Sequence, residues 1–440
     1  MTQVFKGRVF VGPVNIAGIA SRLADGLRQC EVDAEAVLAW PDKFQYSSTK
    51  TSYLVLWQWA GKKRQAASAS NRLQKIFFVL LHKAIGFLLL PWALSRFDAF
   101  IFLFAQTLTD SSFELKLLKL FKKRLIFVYL GSDARPPYMD GGRFPEGTPL
   151  PDTVLLRKLT QDKKKLIKRQ ESFADYVVNS PFCGQFQEKS YVNWFAMGVP
   201  FDAHDQQAET PDLPSTLHRS VRILHSPSSA AVKGTQRILT ILDQLKRKGL
   251  NFELVLLQGM SNDQVIEEIK RCDFVIDQLF ADTPMAVFAT EAALFGKPAV
   301  VGGYAANSGK HLFASYGKPP SLFVSPNEMA DAIEKLIVDS SFREQLGREA
   351  ASFVKQHWNT TEVAKRYLKL IGGECDPDWL LDPFACDYAL GNGLPEERAA
   401  LLARNIIQQF GYEFLGVNDK PAVLLGIKNN VEAHSGNLNA

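Results

Sequence analysis

Phe274-Val275-Ile276-Asp277-Gln278-Leu279, then, across a short loop, Thr290-Glu291-Ala292-Ala293-Leu294-Phe295-Gly296-Lys297-Pro298 and Ala299-Val300-Val301 decide how this chain folds. The first apolar run predicts a buried strand. The Glu291 segment is helical in pattern and closes at Gly296-Lys297-Pro298, after which apolar residues resume as a second strand. Strand, loop, helix, turn and strand in that order imply a parallel sheet, whose ligands gather beyond the carboxyl ends of the strands. Glu291, a single carboxylate at the expected mouth of the helix, marks a ligand site there.

The same pattern opens the second half of the chain. Val221 to Pro227 reads as a strand, followed by Ser228 to Thr235 and a helix through Ile238, Leu239 and Leu242. Lys233 falls near a helix N-terminus, where its charge, the free N–H groups and the Thr235 hydroxyl would converge on a diphosphate. A cation is otherwise mildly unfavourable at that end of a helix, which favours function over a solvated loop lysine.

The first half repeats the alternation. Arg8 to Pro13 reads as a strand, Val14 to Gly18 as a turn, and Leu23, Leu27 and Cys30 as one helical face. Gly12 and Gly18 either let a ligand approach the backbone or simply make a tight turn, because the full GxGxxG spacing is absent. Further strands are expected at Glu35 to Trp40, Ala99 to Phe104, Leu125 to Leu130 and Ala174 to Pro181. Gly131-Ser132-Asp133-Ala134-Arg135 follows a strand end, so Asp133 and Arg135 are candidates for contacting sugar hydroxyls or phosphate; a local turn is the alternative. The lysine-rich helix Lys158 to Glu171 reads as a solvated face.

Length and composition set the frame. With 440 residues and 46% hydrophobic content the chain can bury two cores of ordinary size. A net charge of +5 and a pI near 8.8 lack the concentrated basic field of a dedicated nucleic-acid binder, leaving a modest bias toward anionic ligands or anionic lipid. The five cysteines form no CxxC pair, and no cleavable leader is expected ahead of the first strand, so a reducing cytoplasm with free thiols is expected. The seven histidines show no paired spacing, so no metal site is expected.

Ile76 to Leu94 is almost continuously apolar and follows Lys62, Lys63, Arg64, Arg72 and Lys75. It approaches membrane-spanning length, but Gly86, Pro91 and the interior His82-Lys83 pair argue for a surface-dipping helix, with a helix buried against the sheet as the alternative.

The succession Lys233-Gly234-Thr235, the strand Leu254 to Leu257, Cys272 to Asp277 and Glu291 to Pro298, continuing through Leu336 to Tyr367, resembles the donor half of a GT-B-fold glycosyltransferase of family 4. The resemblance covers about 150 residues of the second half well. In the first half it rests on strand order, the Gly12 turn, Gly131 to Arg135 and Gly198 to Asp202. It implies an α/β chain of two Rossmann-like domains facing a central cleft. Residues 1–205 would form the acceptor side and 206–395 the donor side, with a linker near 203–220. Residues 396–440 would cross back as a helix and tail.

The resemblance further implies sugar transfer, with retention of configuration, from a nucleotide sugar to a glycan or lipid-linked acceptor of the cell envelope. Lys233 would neutralise the leaving diphosphate without metal, and Glu291 would accept the ribose hydroxyls. The candidate catalytic residues are then Lys233, Asp133 and Arg135. The candidate donor-binding residues are Gly12, Gly18, His225, Ser226, Lys233, Gly234, Thr235, Asp277, Gln278, Thr283 and Glu291. Beyond the nucleotide sugar no cofactor is implied. The place is cytoplasmic, against the inner membrane face through 76–94, with no nucleic-acid partner.

Three departures stand out. Thr283 occupies the place of a second family glutamate, and the family's phosphate-pairing arginine is missing from Ser226 to Val232, leaving His225, Arg135 or Arg237 to share the charge. The loop Ala281 to Phe288 also lacks glycines, with Asp277, Gln278 and Asp282 as substitutes toward the sugar. A non-catalytic module of the same fold would explain all three, and a nucleotide-sugar epimerase is the remaining alternative.

Overall fold

The structure is a computed structural model that describes residues 5–40, 54–67, 72–201, 220–309 and 312–435. The expected linker, residues 203–219, lies outside them.

Two sheets carry the chain. The first has strands β1 (Val9–Gly12), β2 (Ala34–Ala36), β3 (Ala99–Leu103), β4 (Arg124–Val128), β5 (Tyr176–Asn179) and β6 (Tyr191–Asn193). The second has β7 (Val221–His225), β8 (Phe252–Leu256), β9 (Phe274–Ile276), β10 (Ala299–Gly302) and β11 (Leu322–Val324), and the short β12 (Leu380–Leu381) returns to the first. Helices interleave them: α1 (Ile19–Gln29), α2 (Val55–Ala66), α3 (Arg72–Arg96), α4 (Ser112–Leu120), α5 (Thr153–Phe173) and α6 (Trp194–Met197) precede β7. After it come α7 (Ala230–Lys233), α8 (Thr235–Arg247), α9 (Asn262–Arg271), α10 (Val287–Leu294), α11 (Met329–Val338), α12 (Ser340–His357), α13 (Thr360–Gly372), α14 (Glu396–Phe410) and α15 (Pro421–Ala433).

The strand orders are β12-β6-β5-β4-β3-β1-β2 and β11-β10-β9-β7-β8, parallel throughout except for β12. Each order reverses direction once, between β1 and β3 in the first sheet and between β7 and β9 in the second. Loops on either side of such a reversal diverge and leave a crevice, so two crevices are expected, one per sheet. Continuous apolar runs make this possible: β1 and β3 are buried at every position, as strands covered on both faces must be. Phe10, Phe97, Phe100 and Phe102 pack with ring centroids 5.3 to 6.0 Å apart beneath the first sheet. Each such ring contributes about 1.5–3 kcal/mol through burial.

The chain returns to the first unit earlier than residue 396. Helix α13 crosses α1 so closely that a Cβ on Gly26 would stand 2.5 Å from the Thr360 carbonyl oxygen, and β12 pairs with β6. The strands β6, β11 and β12, of two or three residues each, were not among those expected from the sequence.

The apolar 76–94 segment lies inside α3, which packs on α2. Its C-terminal half is anchored, with Ile85, Leu90 and Ala93 buried, whereas Leu73, Phe77 and Leu80 stand 81%, 59% and 61% exposed. His82 turns inward and stacks on Trp57 at 5.1 Å; burial, aided by Arg64, lowers its pKa to about 4, so it is neutral. The polar residue that argued against a membrane span is thus spent on the α2 contact.

Candidate functional site

The two switch points face each other across a cleft of about 650 Å³, within the range of small-molecule sites. From the first unit come Val14 to Ala17, at the turn between β1 and α1, with Trp40 and Gln65. From the second come Ser226 to Ser228 after β7, Lys233, the Gly259 to Val265 stretch around the start of α9, and Ala286 to Phe288 with Glu291 on α10.

Lys233 closes α7 immediately before α8 begins, with Gly234 between them at φ 68°. It is therefore the last residue of one helix as well as the neighbour of the next one's N-terminus. Its Nζ donates to Asp277 Oδ1 at 2.7 Å, and Asp277 is 1% exposed. A buried carboxylate thus holds the lysine at the cleft wall. Asp277 Oδ2 is buried without a hydrogen-bond partner among the described residues.

Glu291 lies in the second turn of α10, beyond the reach of the N-terminal dipole that the sequence placed it in. Its Oε1 accepts from Asn262 Nδ2 at 2.9 Å and lies 3.8 Å from Arg22 Nη2, which reaches over from α1. Arg22 also stacks its guanidinium 4.3 Å from the centre of the Phe201 ring. An arginine on the buried stripe of α1, flanked by Ala20, Leu23 and Ala24, was the overlooked sequence signal. Asn262 left none, since asparagine after Ser261 reads only as a helix start.

Several expected residues serve elsewhere. His225 is fully buried: burial lowers its pKa, its Nδ1 donates to the Ile276 carbonyl at 2.7 Å and its Nε2 accepts from Thr235 Oγ1 at 2.9 Å. Neither His225 nor Thr235 is then free to meet a phosphate. Gly12 is a packing residue, because a Cβ there would stand 2.1 Å from the Val37 carbonyl oxygen. Gly18, at φ 78°, begins α1 and Gly234 sits against Leu279; neither lines the cleft. Gln278 is buried, and Thr283 bonds within its own loop to Met285. Ser226, Lys233 and Glu291 are the expected donor-side residues that meet at the cleft.

Lys233, Asp133 and Arg135 do not converge. Arg135 is buried in the seam between the units, ion-paired with Asp282, which also accepts from Asn392 Nδ2 at 2.9 Å. That pairing removes both Arg135 and Asp282 from the cleft. Arg237 is held by Glu146 and Glu397 at the surface. Asp133 lines a separate cavity in the first unit. No group of three or more His, Cys, Asp or Glu side chains suited to a metal ion occurs among the described residues.

No protein-family model matches the sequence, and no curated protein matches it. Solved structures do. The catalytic domain of starch synthase IV from Arabidopsis thaliana, bound to ADP and acarbose, is 13% identical over 83% of this chain and 98% of its own, with a TM-score of 0.50. HepE from Anabaena in complex with UDP and glucose is 14% identical, covering 82% of this chain and 98% of its own at a TM-score of 0.46. Sucrose-phosphate synthase from Thermosynechococcus elongatus is 11% identical, covering 82% and 97% at 0.45. At such identities the likeness is one of fold: two Rossmann-like units facing across a cleft, the GT-B arrangement.

Proposed function

We propose that this chain is a metal-independent glycosyltransferase that takes its sugar from a nucleotide-sugar donor and passes it to a glycan or lipid-linked acceptor. The observation that carries the reading is the meeting of Lys233 and Glu291 at one interunit cleft, each at the carboxyl edge of a parallel sheet. Lys233 is the side chain suited to the diphosphate: an ammonium with spare protons, oriented by Asp277 at the wall of the cleft. Glu291, with Asn262 and Arg22 around it, suits the paired hydroxyls of a ribose. Charge developing on the leaving diphosphate would be met by Lys233 and by Arg22 once the units close, and water would be excluded by Trp40, Val287 and Phe288. Retention of configuration and membership of family 4 belong to the same proposal.

The acceptor is proposed to arrive at an anionic membrane. From Leu54 to Phe97 the chain contains no Asp or Glu but has Lys62, Lys63, Arg64, Arg72, Lys75, Lys83 and Arg96. With Leu73, Phe77 and Leu80 exposed on α3 and Val55, Leu56 and Trp59 on α2, this is an apolar face with basic flanks. The surrounding process would be cell-envelope polysaccharide synthesis on the cytoplasmic side.

A thermal-shift screen with uridine, guanosine, adenosine and cytidine diphosphates and their sugar conjugates tests the donor site. Each variant is compared with its own unliganded midpoint. A ligand at about 100 times its Kd adds ~2.7 kcal/mol. One nucleotide whose shift disappears in Lys233→Ala and Glu291→Ala names the donor base. The absence of any shift in folded protein would favour a binding module without turnover.

A further inference from the structure

A second cavity, of about 400 Å³, opens in the first unit and shares no lining residue with the interunit cleft. It lies beyond the carboxyl ends of β3 and β4, where Phe104 to Gln106 and Ser132-Asp133 leave the sheet. Its far walls are Arg64 of α2, Gly142 and Arg143, and Lys163 of α5. Arg64 and Gln65 are consecutive on α2, one in each cavity, so this helix partitions them.

The polar groups of this cavity are unevenly satisfied. Asp140 Oδ1 accepts from Ser132 Oγ at 2.8 Å and from the Gly142 amide at 3.0 Å, and Asp110 Oδ1 accepts from the Thr107 amide at 3.0 Å. Asp133 is 5% exposed; its Oδ1 accepts from the Leu130 amide at 2.9 Å, but its Oδ2 has no partner among the described residues. A buried carboxylate oxygen without a donor is a rare arrangement and asks for a ligand hydroxyl.

On the cationic side, Lys163 Nζ donates to the Ser132 carbonyl at 2.6 Å and keeps further protons to give. Arg64 approaches only the neutral His82, at 3.5 Å, and the exposed Arg143 makes no side-chain hydrogen bond or ion pair among the described residues. Arg64, Arg143 and Lys163 thus line this cavity without a carboxylate oxygen in salt-bridge contact among the described residues, beside Asp110, Asp140 and the Asp133 oxygen that lacks a donor.

We propose that this cavity binds a phosphorylated polyol, with a hydroxyl given to Asp133 and the phosphate held by Arg143, Arg64 and Lys163. Two guanidinium forks and an ammonium suit the charge and the several acceptor oxygens of a phosphate better than one carboxylate. Built on the glycosyltransferase reading, the ligand is the headgroup of the acceptor. It is separated from the donor cleft by the end of α2 and lies beside the apolar face of α2 and α3. The same chemistry is carried by a lipid headgroup and by a free phosphorylated sugar or polyol.

Titration calorimetry on the full chain with glucose 1-phosphate, myo-inositol 1-phosphate and glycerol 3-phosphate tests this, with the unphosphorylated polyols, glucuronate and inorganic phosphate as controls. At least one phosphorylated polyol is expected to bind more than about tenfold tighter than each control, and Arg143→Ala and Asp133→Asn are each expected to weaken it by about tenfold or more. Arg143 is exposed, so its variant reads binding rather than folding. Equal affinity in Arg143→Ala, or glucuronate or phosphate alone binding as well, overturns the assignment. Vesicles carrying phosphatidylinositol that compete with the soluble ligand point to a lipid source, and failure to compete points to a free one. If polyol phosphate binds here while no nucleotide binds the cleft, the cavity stands and the glycosyltransferase reading falls; the reverse result removes this proposal alone.

Discussion

Replacing Asp133 by asparagine should make the protein more stable at neutral pH. Burial raises the pKa of Asp133 from the ordinary 3.8 to about 6, against the opposing pull of the Leu130 amide and Lys163. The folded state therefore binds this proton more tightly than the unfolded chain does. The stability that protonation supplies is complete below about pH 4 and is lost as pH rises through about 6. A gap of roughly two pH units corresponds to ~3 kcal/mol withheld at pH 8. Asparagine can still accept the Leu130 amide but turns an amide N–H2 toward Lys163, so about 1–3 kcal/mol should be recovered. Urea denaturation of both proteins at pH 4.5, 6 and 8 reads the difference, in which other buried carboxyls such as Glu114 and Glu171 cancel. The variant should match the parent at the acid end and exceed it at the alkaline end. A variant less stable at pH 8, or a difference independent of pH, would refute the reasoning. A carboxylate kept at such a cost is the stability–activity trade expected of a binding residue.

Lys233→Ala leaves the buried Asp277 without its cation and should destabilise the protein by ~3 kcal/mol; adding Asp277→Asn should restore the denaturation midpoint but not nucleotide binding. Leu80→Glu, on the exposed face of α3, should abolish sedimentation with phosphatidylglycerol vesicles and shift thermal stability by less than about 0.5 kcal/mol; unchanged sedimentation would remove the membrane face. Gly26→Ala should cost about 1–3 kcal/mol by denaturation, because its Cβ meets the backbone of Thr360, and a neutral effect would show that α1 and α13 are free to separate.

What was legible in the sequence was whatever is local. The apolar runs of β1, β3, β4, β7 and β9, and the charged helix α5, follow from periods visible within one segment. Helix α14 (Glu396–Phe410) begins at the residue where the expected C-terminal helix was placed. Lys233 and Glu291 reached the cleft because the turn after a parallel strand decides where its side chains emerge. Partners set by tertiary contacts were not legible. Nothing in the order of residues joins Arg135 to Asp282, 147 positions later, or Arg22 to Glu291. His225 looked available because one of its two partners, the Ile276 carbonyl, becomes a neighbour only when β7 and β9 pair.

The three departures from the family pattern have one structural consequence. Asp282, the nearest acid to Thr283, is drawn into the seam by Arg135 and Asn392, so the loop toward α10 presents Ala286, Val287 and Phe288 to the cleft instead of carboxylates or bare backbone. Lys233 is then the second unit's cation at that wall, and it is already matched by Asp277. The guanidinium that reaches the Glu291 end belongs to the other unit, on α1. In the proposed function the positive charge that meets the diphosphate is therefore drawn from both units, Lys233 from the second and Arg22 from the first. In the proposed reaction this ties leaving-group stabilisation to domain closure, the step that also excludes water.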